Sequence, residues 1–186
     1  MLTISKFNFD LSLNKKLFFI FFIILLRFIP ITADYSYLLV AGYSLLGRRQ
    51  IIESLFLIWL FSMLNNEIIP IAENESFIRY IVVLTCFISI LIRANFKKID
   101  SFSLITLLLG IFFVIHSIFF SQFPSISILK SVYWTLIMMI LFLAWQGMSN
   151  SEHEYTQKWI REFLFMIILS SLVLFLVFPD VGFSIN

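Results

Sequence analysis

Arg27, Arg79, Lys130 and His116 each lie inside an apolar run: "LFFIFFIILLRFIP", "FIRYIVVLTCFISI", "SISILKSVYWTLIMMIL" and "LLLGIFFVIHSIFF", respectively. A basic side chain at the centre of a membrane helix costs about 2.5–3.5 kcal/mol on insertion scales, so such residues are functional candidates by default. Arginine offers a planar fork that matches the oxygens of a diphosphate, and lysine offers a mobile point charge. Four such groups at one depth, on four runs, predict a pocket for an anionic ligand, namely a lipid-linked phosphate or diphosphate. The structural alternative has Arg27 and Lys130 reaching toward the headgroups, Arg79 pairing with Glu75 at i, i+4, and His116 packed against its neighbours.

Other polar residues read more simply. Glu53 is placed to pair with Arg49 at i, i+4. Asp34, Glu67, Glu73 and Glu75 read as exposed loop acids, so no general base stands out. His153, between Glu152 and Glu154, belongs to a solvated segment, "GMSNSEHEYTQKWIRE". The Asn74-Glu75-Ser76 acceptor pattern falls too close to an apolar run to be read as a glycosylation site. The sequence contains no phosphate loop, zinc-binding HExxH, paired-cysteine site or nucleophile elbow, and no cofactor or metal is expected. The single cysteine, Cys86, reads as a small buried side chain and excludes an internal disulfide.

These groups are positioned by a chain that cannot cover itself with polar surface. Of its 186 residues, 61% are hydrophobic and only 13% are charged, which excludes an ordinary soluble domain. The net charge of +2 is too small and too scattered for a nucleic-acid partner. The apolar runs are continuous and lack the period-2 alternation of a membrane barrel. The expected fold is therefore all-α, a polytopic integral membrane bundle. Seven runs approach the roughly 20 residues that a bilayer needs: residues 17–31, 33–46, 50–64, 76–94, 102–120, 125–148 and 162–178. The second and third are short, and six spans plus a re-entrant hairpin is the alternative. Pro30, Pro70, Pro124 and Pro179 fall at the edges of these runs, where proline costs a helix least.

Basic residues near span ends are retained on the cytoplasmic side. With the N-terminus inside, Lys6, Lys15, Lys16, Arg48, Arg49, Arg93, Lys97, Lys98, Lys158 and Arg161 all fall on that side. Asp34, Glu67, Glu73, Glu75 and Asp180 fall on the other. Residues 1–16 then form a cytoplasmic tail, 17–178 the transmembrane domain and 179–186 the start of an extracytoplasmic segment. The first run is read as a retained helix rather than a cleaved signal, because Arg27 and Pro30 interrupt the approach to a cleavage site.

The stretch "ADYSYLLVAGYSLLGRRQIIESLFLIWLFSMLNNEIIP" resembles the early part of bacterial O-antigen ligase and polysaccharide polymerase family proteins. Its block from "GRRQ" to "SMLN" is the most specific part, and "FPDVGFSIN" is similar to the lead into their periplasmic region. The glycine-rich stretch and asparagine–histidine–proline signature that commonly follow are not in this sequence, which therefore reads as the N-terminal portion of such a protein. No catalytic residue of the family is carried over. The resemblance implies an inner-membrane glycosyltransferase that takes a glycan from an undecaprenyl diphosphate carrier and gives it to another glycan or to a lipid A core. The implied partners are the bilayer, that lipid-linked substrate and other proteins of a glycan-assembly complex. A transporter or flippase-like subunit for an anionic or lipid-linked solute is the alternative, although the two halves show no repeat and the cations gather toward one leaflet.

Overall fold

A computed structural model describes residues 11–63, 75–93 and 101–177. Among these the chain is entirely helical: α1 (Leu11–Arg27), α2 (Ala33–Ser44), α3 (Arg48–Met63), α4 (Glu75–Arg93), α5 (Ser101–Phe120), α6 (Pro124–Gln146) and α7 (Asn150–Val177). Lys6, Glu67, Pro70, Glu73, Asn74, Lys97, Lys98, Pro179, Asp180 and the segment 179–186 lie outside the described residues. The chain divides into two compact units between Gln146 and Gly147.

In the first unit, α2, α3 and α4 form the packed centre. Helix α2 buries Ala33, Ser36, Tyr37, Val40, Ala41 and Ser44, a spacing of three and four that makes one continuous stripe. Ile51, Leu55 and Ile58 of α3 and Ile78, Val82, Cys86 and Ile90 of α4 are buried in the same way. Helix α6 packs on α3 and α4, and α5 packs on α6.

Helix α1 is joined to α2 through one turn of 3-10 helix at Pro30–Thr32, and the chain bends by 115° there. Proline lacks the amide that would continue α1 and disfavours helical backbone at Ile29, which is extended. The Thr32 hydroxyl closes the break by donating to the Leu26 carbonyl at 2.7 Å. This end effect also explains why α1 stops at Arg27 rather than at the expected Ile31.

Helices α5 and α6 are each long and apolar enough to cross a membrane, and the bent α1–α2 pair passes the same test taken together. The described chain thus carries two such spans, or three with the bent pair. Helix α2, at 12 residues, is about 18 Å long and falls short of a 30 Å hydrocarbon core.

The α5–α6 hairpin is built on small residues. Ser103, Gly110 and Ser117 recur every seven positions on α5 and are its buried residues. Between apolar helices in lipid there is no water to expel, so close approach through small side chains supplies the attraction. Ser117 and Ser131 hydroxyls meet at 3.1 Å, and the Phe102 and Phe142 rings stack at 6.2 Å.

In the second unit, α7 begins well before the expected Glu162. Its start is a capping box: the Glu152 carboxylate accepts from the Ser149 amide at 2.8 Å, and the Glu152 amide donates back to the Ser149 hydroxyl at 3.4 Å. The segment read as a solvated entry to the seventh helix is therefore helical from Asn150 on. Over 28 residues α7 extends about 42 Å, with its charged residues in the first half.

Candidate functional site

Two polar clusters occupy opposite ends of the central helices. At one end the short α2–α3 turn meets the end of α4. Ser89 Oγ donates to the Ser44 carbonyl at 2.8 Å, and Arg93 Nη1 donates to the Ser89 carbonyl and hydroxyl at 3.0 and 2.6 Å. Arg93 also donates to the Leu45 carbonyl, while Arg48 donates to the carbonyl of Arg93. Arg93 thus satisfies a carbonyl at the end of α2, and Arg48 one at the end of α4, where no intrahelical donor is available. Arg48 and Arg93, two of the basic residues expected to share one side, thus meet here.

One turn deeper, Glu53 is fully buried. Arg49 Nε lies 3.4 Å from its Oε1, the expected i, i+4 pair. Its second oxygen accepts from the Tyr43 hydroxyl. Sequence reasoning missed Tyr43, because its distance from Glu53 along the chain hides a proximity that only the tight "LLGRRQ" turn creates.

The two C-terminal ends of α2 and α4 meet, and the helices pack side by side, so they run parallel. That register defines the far end. Asp34 and Arg79 each lie ten residues before the Ser44–Ser89 bond, about 15 Å away, and are therefore level. Asp34 sits in the first turn of α2 rather than in a loop, and its Oδ1 is shielded from solvent without a hydrogen bond. One turn on, the Tyr37 ring lies under the Arg27 guanidinium at 5.9 Å and edge-on to Phe61 at 5.1 Å. Arg27 itself is only 1% exposed, which is not the geometry of a side chain reaching for headgroups.

On α4, Arg79 is half-buried and within electrostatic range of the Tyr133 phenol of α6. Tyr80 meets Tyr133 edge to face at 5.2 Å, and Tyr133 continues to Trp134 at 6.4 Å. Of the four residues expected to line an anion pocket, Arg27 lies over the Tyr37 ring and Arg79 within electrostatic range of Tyr133 at this end. Lys130, one turn before Tyr133, is exposed. His116 is also exposed, stacked on Phe120 at 5.0 Å, because the adjacent Ser117 is the residue that faces α6.

No family model, curated protein or solved structure matches this chain.

The far end thus carries two arginines, each beside a tyrosine: Arg27 by Tyr37 of α2 and Arg79 by Tyr133 of α6. Among the described residues no group of three His, Cys, Asp or Glu side chains is placed to hold a metal ion. Asp34, Tyr80 and Tyr133 were not among the residues expected to form a site. The available signals were the i, i+3 spacing of Asp34 and Tyr37 and the adjacency of Arg79 and Tyr80.

Proposed function

We propose that this chain is the N-terminal membrane portion of a cell-surface polysaccharide polymerase or O-antigen ligase of the bacterial inner membrane, with its N-terminus cytoplasmic. It receives a glycan carried on undecaprenyl diphosphate and serves its transfer to a glycan or a lipid A core. The observation that carries this reading is the placement of Arg27, over the Tyr37 ring, and of Arg79, in electrostatic range of the Tyr133 phenol, at the end of the bundle away from the basic α2–α3 turn. With the basic turn retained in the cytoplasm, that end faces the outer leaflet.

Chemically, transfer displaces the lipid diphosphate from the anomeric carbon, and negative charge grows on the departing oxygen. Prepositioned guanidinium groups in a site of low dielectric stabilise that charge more than water does. Buried cations in the membrane are retained where they meet a substrate or a partner charge. The "GRRQ" to "SMLN" likeness gives the anion its class.

The test is surface glycan, separated by size, from a strain that lacks the gene and is complemented with the full gene bearing Arg27→Gln, Arg79→Gln or Lys130→Gln. Loss of long chains with the arginine variants, at native protein levels, is the expected result. Native glycan from all three variants removes the assignment.

A further inference from the structure

At the end of the bundle opposite Arg27 and Arg79 we infer a site for an anionic phospholipid: Arg48 and Arg93 hold its phosphate, and Leu45, Leu46 and Ile92 take its acyl chains. This lipid is a resident of the leaflet that borders the basic α2–α3 turn, not a glycan carrier, so the site stands or falls apart from the proposed function. With the N-terminus inside, that leaflet is the cytoplasmic one.

Two cross-links bring the arginines together. Arg93 of α4 donates through Nη2 to the Leu45 carbonyl at the end of α2, and Arg48 of α3 donates through Nη2 to the carbonyl of Arg93 itself. Both guanidinium groups therefore lie in the notch where the α2–α3 turn meets the end of α4, and both residues are half-buried. Arg93 is the more firmly set, because its Nη1 also donates to the Ser89 carbonyl and hydroxyl at 3.0 and 2.6 Å. Among the described residues these bonds use Nη1 and one hydrogen of Nη2. A guanidinium has five N–H groups, so Nε and the second Nη2 hydrogen of Arg93 remain for phosphate oxygens, which arginine meets with charge-assisted bonds. Two cations in one notch repel one another, and an anion lying against both reverses the sign of that interaction. The carboxylate one turn deeper, Glu53, is already engaged by Arg49 and Tyr43.

The surroundings give that anion a hydrocarbon tail. Leu45, Leu46 and Ile92 stand at the same helix ends, close to the arginines in sequence, and are 45%, 69% and 76% exposed. Leu45 is the residue whose carbonyl Arg93 holds. A free phosphate, a nucleotide or an acidic peptide would cover the guanidinium groups and leave these side chains bare. A phospholipid covers both, and basic groups set between helix ends at the cytoplasmic face are a recurring form of anionic-lipid site.

Retention of phospholipid by the purified full-length protein in detergent, read by native mass spectrometry, tests the site. The probes are phosphatidylglycerol, phosphatidylcholine with the same chains, and inorganic phosphate as a competitor. The native protein is expected to hold its first phosphatidylglycerol about tenfold more tightly than phosphatidylcholine, the worth of one charge-assisted contact. Arg48→Gln and Arg93→Gln, which keep an amide donor for the helix-end carbonyl, are expected to abolish that preference. Arg161→Gln, at an exposed arginine of α7, is expected to keep it. The double variant Leu46→Gln/Ile92→Gln is expected to weaken phosphatidylglycerol about fivefold through lost apolar contact. Equal retention of the two lipids by the native protein, or a loss in Arg161→Gln as large as in the other arginine variants, overturns the site. Displacement of the lipid by inorganic phosphate, or unchanged retention in the double variant, overturns the lipid as its occupant. Circular dichroism identifies an arginine variant that has lost helix, and the double variant, whose side chains are exposed and outside the hydrogen-bonded network, then carries the decision.

Discussion

At the scale of single residues, Glu53 is the costliest side chain in the central helices. A carboxylate with no solvent exposure is tolerated only where its charge is met, and here Arg49 and the Tyr43 hydroxyl meet it on separate oxygens. Removing one partner of a buried pair leaves the other charge uncompensated. Arg49→Ala is expected to destabilise the protein by about 3–5 kcal/mol, measured by unfolding in mixed micelles. Glu53→Gln keeps an acceptor for Tyr43 and removes the charge that needs Arg49, so its loss is expected to be smaller. If Arg49→Ala unfolds at the native denaturant concentration, the pair does not hold the α2–α3 turn. The same logic separates Arg49 from Arg48. Arg48 serves the end of α4 by donating to the neutral backbone carbonyl of Arg93.

At the scale of elements, two glycines give opposite expectations. A Cβ built on Gly110 would come within 2.9 Å of the Thr135 Cβ and closer still to its Oγ1 and Cγ2, whereas one on Gly42 meets nothing within 4 Å. Gly110→Ala is expected to force α5 and α6 apart at a cost of about 1–3 kcal/mol. Gly42→Ala removes backbone freedom from the unfolded chain inside α2 and is expected to stabilise by about 1 kcal/mol. Thermal unfolding of the two variants side by side checks both signs, and equal shifts would mean that the hairpin is not packed through its seven-residue stripe. Ser149→Ala, which removes the cap of α7, is expected to cost about 1 kcal/mol, read from proteolysis at the start of that helix. The helices α2 to α6 were legible because long apolar runs with proline at their edges leave few other choices. Helix α7 contains the expected span and begins twelve residues before it, because the Ser149–Glu152 spacing starts a helix inside the charged segment. Arg27 and Arg79 were legible as charges in apolar surroundings, but the faces of Lys130 and His116 were not. Those faces follow from which side of α5 and α6 is small enough to pack, and the Asp34–Arg79 register follows from bonds between residues 45 positions apart.

At the scale of the whole molecule, the arginine network fixes which helix ends lie together. Helices α2 and α4 end together at Leu45 and Arg93. Tyr80 of α4 meets Tyr133 near the middle of α6, and the two helices pack on one another. The charge rule leads us to expect α6 to run the same way as α4, with the α5–α6 turn, at residues 121–123, at the Arg79 end. In a bilayer this arrangement is expected to put the charged turn "GRRQ" and the end of α6 in one aqueous compartment and the α5–α6 turn in the other, since guanidinium groups at a helix end need water or phosphate. The check is labelling with a membrane-impermeant maleimide in intact cells and in inverted vesicles, starting from a Cys86→Ser background. Leu46→Cys and Gln146→Cys are expected to react only in inverted vesicles, and Phe123→Cys only in intact cells. Reaction of Leu46→Cys and Phe123→Cys from the same side would mean that α5 and α6 do not cross, and that the Arg27 and Arg79 end cannot face a carrier lipid in the outer leaflet. Reaction from opposite sides with the polarity reversed would keep the bundle and turn the end that carries Arg27 and Arg79 toward the cytoplasm, away from the outer leaflet that the proposed function requires.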